Sequence, residues 1–284
     1  MKKGLLIGIF VLAISNLRAQ MLQSFVHQGE FGFSVGAAHY FGDLNTFTSI
    51  KRPKLAAGAF FRKQFGDYLG VRLSANYAQL GYSDVYSPSP LERRRNLSFN
   101  TDIWEIGIAG DFNFFRFNPE FPEYIFTPYV TMGVSIFSYD PYTYFNNQKY
   151  FLRDIGTEGQ GSPLYPNLQK YGTTAISIPF GVGVKYSLNP KLNVFAELTY
   201  RFTNTDFLDD VSGVYAPNAY PSLEADGVTF TPFGLLQDRS YETSNGVNYF
   251  TAGAQRGNSK KADSFVTLQF GLSFNLSSYR CPDR

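Results

Sequence analysis

Residues 176–202 constrain the fold more than any other stretch of this chain. The segment contains two runs of alternating residues on either side of a tight turn, Leu-Asn-Pro-Lys at 188–191. In each run an apolar side alternates with a side that is mostly small or polar. Strand side chains point alternately to opposite faces, so the pattern predicts a β-hairpin with one apolar face. A soluble sandwich would bury that face, whereas a membrane barrel would turn it outward to lipid.

The same alternation recurs in six other segments, which makes eight predicted strands. They cover residues 28–41, 55–65, 69–82, 101–115, 126–139 and 263–276, together with the two runs of the hairpin. The connections between them are alternately long and short, as in barrels with long outer loops and short periplasmic turns. We therefore expect an all-β fold, an eight-stranded antiparallel up-and-down transmembrane β-barrel over residues 28–276. A soluble sandwich is the alternative, which loops as long as 140–174 and 203–262 disfavour.

Composition supports a membrane barrel and limits the classes of partner. Aromatic residues make up 18% of the chain and charged residues 17%. Such an excess of rings is typical of barrels with an aromatic girdle at each membrane interface. The formal net charge of +2 gives no indication of a nucleic-acid partner.

The N-terminus has the pattern of a secretory signal. Lys2 and Lys3 precede the apolar run 4–14, and Ala19 is the small residue at the expected cleavage site. We predict a signal peptide at 1–19, a short periplasmic segment at 20–27 and a periplasmic tail at 277–284. We expect the protein in the outer membrane, with both termini in the periplasm. Its single cysteine, Cys281, lies in that tail and has no partner for an intramolecular disulfide.

The predicted inward faces carry four acidic and four basic residues. They are Glu30, Glu105, Asp111 and Glu197 with Arg62, Arg72, Lys185 and Arg201. An unpaired charge in a narrow lumen is costly, so we expect a structural network of ion pairs, with a proton or ion path as the alternative. Glycine and serine are expected to fill the remaining space. An eight-stranded barrel is filled by its own side chains, and a general diffusion pore is not expected.

The sequence offers few candidates for catalysis or metal binding. The chain has two histidines, His27 and His39. A lipid-hydrolysing site could combine His39 with a serine and with Asp43, although a girdle histidine beside a loop aspartate is the expected reading. The acidic run 206–210 could bind Ca²⁺, although solvated loop acids or contacts with neighbouring loops are expected instead. The basic run 93–95 could meet lipid phosphates or face solvent. We predict no catalytic, cofactor or metal residues.

Two segments resemble a known family. Residues 30–45 (EFGFSVGAAHYFGDLN) and the hairpin followed by 205–215 (TDFLDDVSGVY) are similar to the signatures of PorG-type outer-membrane barrels of the type IX secretion system. The resemblance implies a non-enzymatic role in protein secretion and transport. It implies contact with a periplasmic ring made by the lipoprotein PorK and its partner PorN, and with other components of the machinery.

The resemblance also suggests a role for Cys281, which would contact or form a disulfide with the ring lipoprotein. Two other functions stay open at this point. One is a small barrel enzyme that acts on lipid through His39, and the other is a passive barrel that binds lipid or an apolar ligand.

Overall fold

The computed structural model describes residues 27–277, in which the chain forms strands with a few short helical segments. The strands are β1 (His27–Phe41), β2 (Lys54–Phe65), β3 (Leu69–Ser83), β4 (Ser98–Asn113), β5 (Phe126–Ser138), β6 (Tyr142–Phe145), β7 (Gln148–Phe151), β8 (Thr174–Asn189), β9 (Leu192–Thr203) and β10 (Ser264–Ser277). The α-helices are α1 (Pro90–Arg95), α2 (Leu152–Ile155) and α3 (Pro232–Leu236). Single 3₁₀ turns lie at Asp84–Tyr86, Pro122–Tyr124 and Ser240–Thr243. None of the helices within residues 27–277 has the length and apolar character needed to cross a membrane.

Eight of these strands close into a barrel, which confirms the predicted fold class. The order around the barrel is β1-β2-β3-β4-β5-β8-β9-β10, and every neighbouring pair is antiparallel. The barrel closes where β1 pairs with β10, from His27 opposite Ser277 to Phe41 opposite Ser264. Closure leaves no unpaired strand edge in the barrel wall, as a wall in contact with hydrocarbon requires.

The predicted loop 140–174 is more structured than the sequence indicated. It contains the hairpin β6–β7 and the helix α2, and β6 pairs with the start of β4 where Tyr142 lies opposite Asn100. Asn146 and Asn147 form the two-residue turn, both with positive φ, which asparagine tolerates better than most residues. Four-residue strands are too short for alternation to mark them, so the prediction of a plain polar loop was wrong.

The outside of the barrel is apolar, as the alternation predicted. Leu73, Ile108 and Val134 lie side by side in the middle of adjacent strands, and each is more than half exposed. Trp104 and Tyr77 pack together toward the end that carries the long loops. Phe112 and Phe114, with neighbouring rings, lie toward the other end. An uninterrupted apolar band between aromatic girdles is the surface of a membrane-spanning barrel.

The four long connections fold together over one end of the barrel. We call residues 42–53, 84–97, 139–173 and 204–263 the loop cap, and the opposite end, with the connections 66–68, 114–125 and 190–191, the short-turn end. An apolar core joins the cap to the upper lumen, and it includes Tyr40, Leu44, Leu80, Leu97, Phe99, Phe137, Leu152, Leu208, Val211, Leu236 and Phe265. The barrel is therefore filled with packed side chains at its cap end.

Candidate functional site

The lumen near the short-turn end holds a connected network of charges. Arg62 contacts Glu30 and also Asp111, and both contacts are fully buried. Arg72 lies 3.7 Å from the Asp111 carboxylate and donates to Glu197 at 2.6 Å. Because each guanidinium bridges two carboxylates, these five side chains link β1, β2, β3, β4 and β9 across the lumen.

A separate ion pair lies nearer the cap. Arg201 donates to Glu105 at 2.7 Å, and Asn76 donates to the same carboxylate group at 2.9 Å. A second Arg201 nitrogen donates to Thr267 at 2.8 Å. Such a buried pair tolerates the absence of water because additional hydrogen bonds satisfy its remaining polar atoms.

Lys185 is the eighth predicted charge, and it is buried without a carboxylate within 4 Å among the described residues. Its ammonium lies 5.0 Å from the ring centres of both Phe117 and Tyr129. The five-residue network contains three carboxylates and two guanidinium groups, which leaves one negative charge. Lys185 offsets that charge at longer range, so the lumen as a whole is electrically balanced.

Aromatic rings, rather than glycine and serine alone, fill the space around these charges. Phe60 lies beneath both Arg62 and Arg72, with its ring centre 4.7 and 5.7 Å from the two guanidinium carbons. Three inward rings, those of Phe60, Phe195 and Tyr129, lie over a glycine of a neighbouring strand. A Cβ at Gly32 would come within 2.4 Å of the Phe60 ring, and a Cβ at Gly271 within 2.4 Å of the Phe195 ring. The prediction of small filler residues was therefore only half right, because the glycines make room for rings.

The lumen leaves little room for a solute. The void bordered by Arg72, Glu105 and Arg201 measures about 30 Å³, which is space for one or two water molecules. With the apolar core above and the charge network below, the interior resembles a packed protein core rather than a channel. The chemistry available to the molecule therefore lies at its two ends.

In the cap, the two segments that carry the family resemblance meet. Tyr40, from residues 30–45, donates to the Asp209 carboxylate at 2.5 Å, and Asp209 belongs to residues 205–215. The Tyr40 hydroxyl oxygen also lies 3.0 Å from Asp263. Asn45 donates back to the Tyr40 carbonyl at 2.8 Å and so holds the first loop over the strand end.

Two buried arginines fasten the cap loops to one another. Arg95 donates to the Asp84 carboxylate at 2.7 and 2.8 Å and to the Arg256 carbonyl at 2.6 Å. Arg256 donates to Glu158 at 3.0 Å and to the Asp210 carbonyl at 2.6 Å. Of the basic run 93–95, only the first two residues are exposed. The prediction that the whole run meets lipid phosphates or solvent was therefore wrong for Arg95.

The acidic run of the last loop is packed inside the cap. Burial raises the pKa of Asp206 to about 7, and the carboxylates of Asp43 and Glu158 add to the shift. Burial likewise raises the pKa of Asp210 to about 6, against the opposing effect of Arg256. The pKa of Asp209 is raised well above its usual range by burial and then by Asp43. Of the three hypotheses for this run, the contacts with neighbouring loops are observed, and Asp209 and Asp210 are buried rather than solvated. Residues 27–277 contain no group of three or more acidic, histidine or cysteine side chains arranged to hold a metal ion.

His39 lies on the outer face of β1, under the first loop. Its Nε2 is 2.9 Å from the Ser49 carbonyl and 3.2 Å from the Asn45 amide nitrogen. The Asp43 carboxylate instead accepts a 2.6 Å hydrogen bond from the Asn258 backbone. Within the described residues, His39 is thus engaged by backbone and amide groups, and the serine–histidine–acid arrangement is not assembled.

Several predicted features fall outside the described residues. These are the signal peptide 1–19, most of the segment 20–27, and the tail that contains Cys281. The described chain begins and ends at the short-turn end, where His27 lies opposite Ser277.

Comparison with known proteins gives a family. Residues 3–229 match the family described as Domain of unknown function (DUF6089). The chain belongs to the DUF6089 family. No curated protein matches this DUF6089 chain.

Several solved structures are similar to the DUF6089 barrel in fold. Neisserial surface protein A is 12% identical over 87% of this chain and 97% of that protein, with a TM-score of 0.41. The N-terminal β-barrel domain of OprF from Pseudomonas aeruginosa is 10% identical over 88% and 100%, with a TM-score of 0.36. Ail, the attachment invasion locus protein of Yersinia pestis, is 11% identical over 87% and 99%, with a TM-score of 0.38.

Proposed function

We propose that this DUF6089 barrel is a non-enzymatic outer-membrane component of the type IX secretion machinery, and that its short-turn end faces the periplasm and contacts the ring of PorK and PorN. The observation that carries the proposal is the 2.5 Å hydrogen bond between Tyr40 and Asp209. It joins the two segments on which the family resemblance rests. Closure of the barrel between β1 and β10 brings the two segments together at the cap, where this buried bond joins them.

The packed lumen supports an attachment role over a transport role. With its charge network, its rings and the apolar core of the cap, the barrel has no passage wide enough for a polypeptide. A component of this kind contributes to secretion by holding a partner at the membrane. The partner must then meet one of the two ends.

The short-turn end offers a surface suited to such contact. The connection 114–125 exposes Phe115 and Phe121, beside the exposed carboxylates of Glu120 and Glu123. Exposed rings next to charged side chains are typical of protein-binding surfaces. In the proposed orientation this connection faces the periplasm, where the ring would lie.

Site-specific crosslinking tests the proposal. A photo-reactive amino acid at position 121 is expected to crosslink to PorK or PorN in intact cells. Deletion of the gene for the barrel is expected to abolish secretion. The same probe at Val247, an exposed position of the cap, is the matched control and is expected to give no ring adduct. Ring adducts from position 247 alone, or unchanged secretion in the deletion strain, would contradict the proposal.

Cys281 provides a second contact to test. We propose that this residue, in the predicted periplasmic tail, forms an intermolecular disulfide with the ring lipoprotein. Wild-type cells are expected to show a thiol-sensitive adduct on non-reducing gels, and Cys281→Ser is expected to lose it. An identical band pattern in the two strains would exclude the bond but leave the crosslinking test intact.

A further inference from the structure

A groove on the outer surface of the cap has the features of a binding site, and it is distinct from both the lumen and the short-turn end. Three loops line it: the first contributes Asp43 and Thr46, the second Leu91 and Glu92, and the last 250–261. Its volume is about 370 Å³, within the range of small-molecule sites in proteins. The groove is thus large enough for a ligand and is built from loops that meet only in the folded cap.

Buried bonds hold the walls of this groove in place. The Asp43 carboxylate accepts from the Asn258 backbone nitrogen at 2.6 Å, which joins the first loop to the last. Arg95 donates to the carbonyls of both Asp43 and Arg256, at 3.1 and 2.6 Å. A site whose walls are already fixed loses little conformational entropy when a ligand binds.

The polar groups of the groove are both donors and acceptors, and two buried atoms lack a partner. One buried oxygen of Glu92 and the buried Nε of Arg256 have no hydrogen bond. Lys261, Gln255 and Asn258 add exposed ammonium and amide groups to the lining. Buried polar atoms without partners are uncommon in folded proteins and often mark a place where another molecule supplies the bond.

The charges of the lining narrow the class of ligand. Arg95 is paired with Asp84, and Arg256 with Glu158. Glu92 offsets Lys261, and the Asp43 carboxylate is left over, so the lining has no excess of positive charge. Such a groove disfavours a phosphate or a carboxylate, and its mixture of donors and acceptors suits hydroxyl groups. Leu91 and the ring of Phe250 provide an apolar surface for the C–H face of a sugar ring.

We propose that this groove binds a saccharide, supplied either by the sugar portion of a membrane glycolipid or by a free polysaccharide. The hydroxyl groups would bond to Glu92, Arg256, Lys261 and the amides of the lining, and the ring face would lie on Leu91 and Phe250. The inference depends on the cap alone and holds whether or not the protein takes part in secretion.

Calorimetric titration of the full-length protein in lipid nanodiscs tests the inference. The probes are the polysaccharide released by mild acid from the lipopolysaccharide of the producing cell, dextran, and inorganic phosphate. Saturable binding of the released polysaccharide but not dextran would identify the glycolipid as the source. Comparable binding of dextran would identify a free polysaccharide as the source. Absence of binding by both, or tighter binding of inorganic phosphate, would overturn the proposal.

Two neighbouring lysines provide a matched pair of variants. Lys261→Ala removes a side chain that lines the groove, and we expect saccharide affinity to fall at least tenfold. Lys260→Ala removes an exposed neighbour outside the lining, and we expect unchanged affinity. Both positions are exposed, so both variants are expected to fold like the wild type. Equal losses in the two variants would overturn the assignment of the groove.

Discussion

The hydroxyl of Tyr40 and the carboxylate of Asp209 form a 2.5 Å hydrogen bond across 169 residues of chain. Tyr40 is fully buried at the end of β1, so this bond fixes the last loop directly to the barrel wall. Together with the apolar core, it joins the cap to the barrel.

Tyr40→Phe is expected to loosen the cap without opening the barrel. The change leaves the buried Asp209 and Asp263 without their shared hydroxyl partner, at a cost of about 1–3 kcal/mol. Hydrogen exchange at constant pH should then be faster in residues 204–212 and unchanged in the barrel strands. Tyr150→Phe is the control, because its hydroxyl makes an exposed bond to Gln148. Unchanged exchange in the Tyr40 variant would show that the bond contributes nothing to the cap.

Arg62→Met is expected to destabilise the barrel strongly. It leaves Glu30 and Asp111 buried without this counter-charge, and breaking such a pair costs about 3–5 kcal/mol. Urea unfolding in lipid vesicles measures the loss. Arg116→Met serves as the control, since Arg116 pairs with Asp67 at the surface with its side chain 47% exposed, where solvent screening leaves a pair little effect on stability. Similar losses of unfolding free energy in the two variants would mean that the buried ion pairs of the lumen stabilise the barrel no more than an exposed pair does.

Ile108→Arg places a charge in the middle of the apolar band. An arginine at the bilayer midplane of a barrel costs about 2–4 kcal/mol, and the free energy of unfolding in vesicles should fall by that amount. Val247→Arg, at an exposed site in the cap, is expected to cost less than 0.5 kcal/mol, as is usual for surface changes. Equal effects would mean that the band does not face hydrocarbon.

The cap is expected to lose stability as the pH rises. Burial raises the pKa values of Asp210 and Asp206 to about 6 and about 7, above the value near 3.9 of an unfolded aspartate. The folded cap therefore binds more protons than the unfolded chain, and its stability falls progressively from about pH 4 through pH 7.

Cap unfolding in urea at pH 5 and pH 8 tests this dependence. Asp206→Asn stays neutral in both the folded and the unfolded chain, so it should raise stability slightly at pH 5, where the unfolded aspartate is already ionised, and more at pH 8. Asp206 is only half buried, and after allowance for solvent screening we expect a gain of about 1 kcal/mol. Asp154→Asn, at a side chain 69% exposed, should change neither value. A wild-type cap that is more stable at pH 8 than at pH 5 would contradict the predicted pH dependence.

Alternation along each strand was sufficient to predict the barrel, the two faces of its wall and the residues that point into the lumen. It could not predict which charges meet. The pairing of Arg62 with Asp111 depends on the stagger of strands that are not neighbours, and no single strand encodes that stagger. Lys185 shows the same limit, because its counter-charges act over a distance that only the folded lumen defines.

Most contacts within the cap could not be predicted from the sequence, for a different physical reason. Arg95 follows two exposed arginines, and nothing in its neighbours marks it as the one that meets Asp84. Asn146-Asn147 was the one local signal available, since such a pair favours a two-residue hairpin turn. Loop residues lack the periodicity that marks strands, so contacts such as Tyr40 with Asp209 emerge only when the chain is folded.

Quenching of Trp104 by brominated lipids shows directly whether the barrel spans a membrane. Trp104 is the single tryptophan of the chain, and its side chain is 65% exposed on the outer wall at the cap end of the apolar band. In vesicles we predict strong quenching by lipids brominated near the headgroup and weaker quenching by lipids brominated near the chain ends. Fluorescence that neither lipid quenches, but that a water-soluble quencher abolishes, would contradict a membrane-spanning barrel.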